Sequence, residues 1–254
     1  MREHIVQEAR IHYVIEDGGH EPNVVPAYAR SWYFVRAPTR DLVNQYYERV
    51  LKMADGADLM VGTTHKVRFL TGVHNTIPNR PLAERIVANM REIGAPEYTP
   101  EEYDFAAQLG QSITKQAKRS SLERSYLPDA IDLLDIDLNT IIYDPYGEER
   151  KGGGGSTDVA EVSWKAPTVE FSTAQFIVGL PGHSWQHTAV SGSSIGHKGT
   201  VYAAKIMATT IIELLTTPQY LREIKADWVQ RLQGREYQSP LPADLVPPLD
   251  QFDA

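Results

Sequence analysis

The polar residues able to do chemistry are concentrated between Gly152 and Gly199. The stretch holds Gly-Ser-Thr-Asp at 155–158, Pro-Gly-His-Ser-Trp at 181–185, His187, and Ser-Ile-Gly-His-Lys-Gly at 194–199. Three of the chain's eight histidines, His183, His187 and His197, fall inside one 15-residue window. Imidazole nitrogen suits zinc and manganese, and flanking glycines let a backbone approach an ion or ligand closely. The chemistry on offer is therefore metal ligation. On residue types alone, capping of strands and helices by these polar residues is the simpler account. For His187 and Trp185 a structural role is expected.

The motifs that would complete a known site are absent. There is no His-Glu-x-x-His, no His-x-Asp, no phosphate loop and no Gly-x-Gly-x-x-Gly. A catalytic zinc needs three protein ligands and an open position, and a water it activates needs a base. Two acid pairs could be offered as that base. Glu101-Glu102 lies in the first turn of a capped helix, where negative charge suits the helix dipole. Glu148-Glu149 lies in a polar loop. Both read better as solvated charge.

Composition removes other classes. The chain has 254 residues, 25 basic against 33 acidic side chains, a net charge of −8 and no cysteine. Thiolate chemistry and disulfides are excluded. An acidic chain without a basic stripe is a poor partner for nucleic acid. No apolar run nears the roughly 20 residues a membrane helix needs, and residues 1–10 lack the apolar core of a signal peptide. A soluble, cytoplasmic protein is expected.

The elements that must position these residues fall into two parts. Alternation places Ile11, Tyr13 and Ile15 on one face of a strand, and Ala29 to Arg36, rich in aromatic and β-branched residues, form a second. Pro38 and Thr39 open a helix that stops near Asp55-Gly56, and a third strand is expected from Thr63 to Thr71. Strand, strand, helix, strand is close to a split βαβ sandwich without its first strand and helix. From Asn79 the pattern changes. Asn79 caps a helix with Leu82, Ile86, Met90 and Ile93 as its stripe, ended by Gly94. Thr99 with Glu102 forms a capping box. Residues 112–150 read as irregular, and 168–178 as a buried strand. Residues 199–215 form a strong helix with Val201, Ala204, Ala208, Ile211, Ile212 and Leu215 in register. The Gly152–Gly155 run reads as a flexible native loop.

Several motifs in order carry a resemblance. Gly18-Gly19-His20-Glu21-Pro22-Asn23-Val24-Val25-Pro26, followed by Trp32 to Pro38, resembles the lid domain of the zinc-dependent aminoacylase/carboxypeptidase superfamily of metallopeptidase type. Residues 155–159, 181–185 and 196–199 resemble its amidohydrolase branch. The likeness implies an α/β, two-domain metallo-amidohydrolase architecture. Residues 1–76 would be a partial ferredoxin-like lid, an antiparallel sheet with helices that dimerises. Residues 77–254 would be the C-terminal part of the α/β catalytic domain. The reaction implied is hydrolysis of the amide of an N-acyl or aryl-amino acid, such as an aminobenzoyl-glutamate, by a metal-activated water. Two zinc or manganese ions would serve the complete enzyme.

The resemblance also assigns residues. His197 matches the C-terminal metal-ligand histidine. Asn23 matches the lid asparagine that binds near the substrate carbonyl or carboxylate, a role its amide donors and acceptor suit; a turn residue is the other reading of Asn23. Asp158 and His183 fall in loops that face the substrate. The other ligands and the general-base glutamate lie, in that family, ahead of the lid. No catalytic base is therefore expected within this chain, which reads as the C-terminal portion of a longer enzyme. The expected partners are a small substrate, a second lid in a homodimer, and an N-terminal half or second subunit. The competing function is a non-catalytic module that dimerises or binds substrate.

Overall fold

A computed structural model of the chain describes residues 2–125, 127–146, 155–247 and 249. Two compact units emerge. The first comprises Met1–Thr76, Arg150–Lys165 and Glu236–Ala254; the second comprises Ile77–Glu149 and Ala166–Arg235. Among the described residues the chain combines helices with one small two-stranded antiparallel sheet, consistent with an α/β fold. The glycine run at 152–154 and the Glu148-Glu149 pair lie outside the described residues.

In the first unit β1 (Arg10–Asp17) and β2 (Arg30–Arg36) form a hairpin. Ile11 faces Val35, Tyr13 faces Tyr33 and Ile15 faces Ser31, so the expected alternation holds. The Tyr13 and Tyr33 rings stack at 5.6 Å, and on the other face Trp32 meets Phe34 at 5.3 Å. Both faces stay open to solvent, with Tyr13 66% and Phe34 51% exposed. Helix α1 (Arg40–Val61) starts where Thr39 Oγ1 accepts the Leu42 N–H at 3.4 Å. It does not stop at Asp55-Gly56. It runs on through Val61 to Gly62, whose φ of 71° supplies the left-handed C-cap. The strand expected at 63–71 does not form: among the described residues the sheet has two strands only. That segment instead leans on α1 through the edge-on contact of Phe69 with Tyr47 at 5.9 Å.

The second unit is helical. Helix α2 (Arg80–Ile93) is capped by Asn79, whose Oδ1 accepts from Leu82 N at 3.0 Å while its Nδ2 donates to the Ile224 carbonyl at 2.9 Å. Of the predicted stripe, Leu82, Ile86 and Met90 are buried and Ile93 is partly buried against the same cluster. Helices α3 (Pro100–Gly110) and α4 (Lys115–Glu123) follow, and the capping box of Thr99 and Glu102 forms as expected. Residues 112–150 are thus not wholly irregular, since α4 and a 3-10 turn at Ala130–Leu133 occupy part of them. The strand expected at 168–178 is also absent among the described residues; Val169 and Phe171 pack against Ile86, Met90, Tyr202 and Ile206 without a ladder. After α5 (Val159–Ser163, in the first unit) come α6 (Trp185–Ser191), α7 (Ser194–Thr216) and α8 (Pro218–Leu232).

Helix α7 departs most from expectation. It begins five residues before Gly199 and buries Ile195, Gly196, Gly199, Tyr202, Ile206 and Thr210 against its neighbours. Tyr202 Oη donates to the Met90 carbonyl at 2.7 Å, and Asn89 Nδ2 donates to Thr210 Oγ1 at 2.9 Å. A Cβ at Gly199 would stand 2.4 Å from Gln175 Cβ. The bare Gly199 is therefore what lets this face sit close to residues 173–175. The stripe read from the sequence, Val201 to Leu215, is the one that faces out. Apolar periodicity marks both sides of this helix, and pattern alone cannot choose between them.

Candidate functional site

The four residues singled out by the sequence lie on loops or at helix starts. Asn23 sits in the connection between β1 and β2, in a turn closed by Val24 N–H to the Glu21 carbonyl at 3.2 Å. Asp158 immediately precedes α5 and makes no side-chain cap bond; Thr157 Oγ1 accepts from Val159 N at 3.2 Å instead. His183 leads into α6 with a φ of 53°. A non-glycine residue held there stores strain, which is common where a loop positions a functional side chain. The next residue, Ser184, fixes the loop: its Oγ donates to the Pro181 carbonyl at 2.8 Å and accepts from His187 N at 3.4 Å. His197 lies inside α7, in its first turn, rather than ahead of a helix. Asn23 and Asp158 belong to the first unit, His183 and His197 to the second. Among the described residues no three His, Asp or Glu side chains converge so as to hold a metal ion.

Two neighbours of these motifs, His187 and Lys198, are tied into the fold. The His187 ring stacks on Phe176 at 4.3 Å and 11°. Trp185, expected to be structural, is instead exposed. Lys198 turns its Nζ to Glu102 Oε2 at 2.7 Å and to the Glu97 carbonyl at 2.9 Å. Burial alone would raise the Glu102 carboxyl. The hydrogen bonds from Lys198, Ser194 and the Thr99 backbone overcome this and hold it at about 2. Glu101 and Glu102, with Thr99, Phe105, Ser193 and Ser194, line a cleft of about 400 Å³. Glu102 is already committed to a cap and an ion pair, so it is not free to accept a proton near neutral pH.

One cluster in the first unit gave no sign in the sequence. His74 N–H donates to Glu161 Oε1, and the ring Nδ1 lies 3.1 Å from both carboxylate oxygens. The ring is enclosed by Trp164 at 4.8 Å and Tyr237 at 5.4 Å, leaving 7% of the side chain exposed. Trp164 Nε1 donates to the Asn75 carbonyl at 2.7 Å, and Lys165 Nζ lies over the Tyr237 ring at 4.2 Å. Burial would raise the Glu161 carboxyl, but bonds from His74 and Tyr237 hold it below the ordinary range. The same bond to Glu161 pushes the Tyr237 phenol up. A carboxylate on Nδ1 fixes the tautomer of the imidazole. With the ring enclosed, the pair works as a clasp that ties α5 and the segment at 236–239 to residues 74–75. No local spacing could reveal it, because 87 residues separate His74 from Glu161.

Comparison with known proteins gives a consistent set of relatives. The chain is 35% identical over 254 residues to a p-aminobenzoyl-glutamate hydrolase subunit of Escherichia coli (strain K12), a match covering 97% of this chain and 53% of that protein. It is 24% identical over 233 residues to Xaa-Arg dipeptidase of Homo sapiens, covering 90% of this chain and 42% of that protein. It is 23% identical to the Xaa-Arg dipeptidase of Mus musculus, over 93% of this chain and 44% of that one. No protein-family model matches the chain. The chain therefore spans about half the length of the relatives it matches. Among the described residues no helix is long and apolar enough to cross a membrane.

Proposed function

We propose that this chain forms part of a hydrolase acting on the amide bond of an N-acyl or aryl-amino acid. The observation that carries the reading is the match to a p-aminobenzoyl-glutamate hydrolase subunit over 97% of the chain. The matches to two Xaa-Arg dipeptidases support the same bond class. The compounds in those names, an aminobenzoyl-glutamate and dipeptides ending in arginine, carry a free carboxylate, and the proposed substrate is of that kind.

In this reading Asn23 offers its amide to the substrate carbonyl or carboxylate, and Asp158 and His183 border the substrate. His197 is a ligand of a zinc or manganese centre that would supply an activated water. The described residues do not fit that centre by themselves, because no three ligands converge. The remaining ligands and the general base belong to polypeptide outside this chain, joined to it or present as a second subunit. The lid would be residues 1–76 and the catalytic part residues 77–254. The aromatic faces of the β1–β2 hairpin favour pairing with a second lid in a homodimer.

A second reading is a non-catalytic module that binds substrate or dimerises. Reconstitution separates them. The chain is co-expressed with the unmatched portion of the E. coli relative and assayed on p-aminobenzoyl-glutamate, N-acyl amino acids and Xaa-Arg dipeptides. Turnover abolished by Asn23→Ala supports the hydrolase. A stable complex with bound metal and no turnover on any of these supports the module.

A further inference from the structure

Helix α6 turns one large aromatic side chain to solvent. Its inner side is filled by Gln186 and Val190, both buried. Its outer side is otherwise polar, with Thr188 and Ser191 exposed. Trp185 alone breaks that pattern. Its side chain is 63% exposed, and among the described residues the indole takes part in no hydrogen bond or ring contact. The packing of α6 makes no use of it.

The turn that carries the indole is held from several sides. Gln186 Nε2 donates to Ser112 Oγ at 3.1 Å, and Ser112 Oγ donates to the Leu109 carbonyl at 2.6 Å. The His187 ring lies flat on Phe176, and Ser184 ties the turn back to Pro181. Such support is what keeps His183 at its φ of 53°. Two residues separate His183 from Trp185, so their Cα atoms are at most about 7 Å apart. A small molecule that borders His183 is within reach of the indole.

We propose that Trp185 is the subsite for the acyl side of the substrate, where it stacks on the planar ring of an aryl-amino acid and sets a preference for aryl over small acyl groups. The proposal rests on the hydrolase reading, in which His183 borders the substrate. Chemistry chooses which end of the substrate lies there. The face of an indole carries the negative side of its quadrupole, which repels a carboxylate and accepts an uncharged ring in offset stacking. The amino-acid end bears the carboxylate, so the aryl end is the one that fits. Stacking also removes from water the apolar area that the fold leaves open.

The test uses the chain co-expressed with the unmatched portion of the E. coli relative and compares p-aminobenzoyl-glutamate with N-acetyl-glutamate. Trp185→Ala should lower the ratio of their kcat/KM values about 10-fold, mainly through KM for the aryl substrate, and Trp185→Phe should keep most of the ratio. The side chain is exposed, so circular dichroism should show both variants folded. A ratio unchanged by Trp185→Ala, with both substrates affected alike or not at all, overturns the proposal while the hydrolase reading stands. Selective loss of Xaa-Arg dipeptide turnover also overturns it, since the indole then faces a guanidinium. Absence of turnover by wild type on every substrate removes the hydrolase reading, and calorimetry with p-aminobenzamide then decides on the subsite alone. Binding weakened about 10-fold by Trp185→Ala keeps the subsite. No saturable binding by wild type, or equal binding by the variant, overturns it.

Discussion

His74 and Glu161 are joined twice, by the backbone N–H of His74 and by its Nδ1, which lies 3.1 Å from each carboxylate oxygen. This pair closes the first unit around residues drawn from three stretches of sequence. Removing the imidazole leaves a largely buried carboxylate short of a donor and the Trp164 and Tyr237 rings without the surface they share. His74→Ala should cost about 1–3 kcal/mol in urea unfolding. His74→Asn, which keeps a donor near that position, should cost less. Equal stability of wild type and His74→Ala would show that the pair is not a clasp.

The same geometry sets an acid limit. Glu161 and Glu102 both have carboxyl groups held below the ordinary value of 4.5 in the folded chain. A depressed folded value adds stability that is present above the unfolded value and is lost as pH falls through the folded one. For Glu102 the loss runs from about 4.5 down to about 2. Stability measured from neutral pH into the acid range should therefore fall mainly below the ordinary carboxylate value, and Glu102→Gln should flatten that fall. A Glu102→Gln profile parallel to wild type would remove the ion pair with Lys198 from the account.

Close contact at α7 makes a steric prediction. A methyl group at Gly199 meets Gln175 Cβ at 2.4 Å, and at Gly196 it meets the Ser191 carbonyl oxygen at the same distance. Gly199→Ala and Gly196→Ala should each destabilise the chain by about 1–3 kcal/mol, despite the better helix propensity of alanine. Thermal melts of the two variants check this; a rise in melting temperature would contradict it.

His183 stores strain at a φ of 53°. His183→Gly should relieve it and stabilise the chain by roughly 1 kcal/mol. If His183 borders the substrate, the same change should cut turnover of the reconstituted enzyme. Gain of stability with full activity would leave His183 as a turn residue only.

The parts legible in the sequence were the local ones. Thr39, Asn79 and the Thr99–Glu102 box each mark a helix start with residues that bond one turn ahead, and each stands where expected. The segments at 63–71 and 168–178 have strand composition, but a strand needs a ladder partner, and composition does not supply one. Helix α7 is apolar on both sides, so periodicity identified the helix and not its buried face. The loops at Asn23, Asp158 and His183 follow from the glycines and prolines around them, but their assignment to a site rests on the resemblance alone. His74 and Glu161 could not, because neither has a chemical neighbour within its own stretch of sequence.

The central claim is that the catalytic centre is completed by polypeptide outside this chain. Zinc and manganese content, measured together with p-aminobenzoyl-glutamate hydrolysis, tests it most directly on the isolated chain and on the reconstituted complex. The account predicts neither stoichiometric metal nor turnover in the isolated chain, and both in the complex, with His197→Ala reducing both. Stoichiometric metal and turnover by the isolated chain would contradict it.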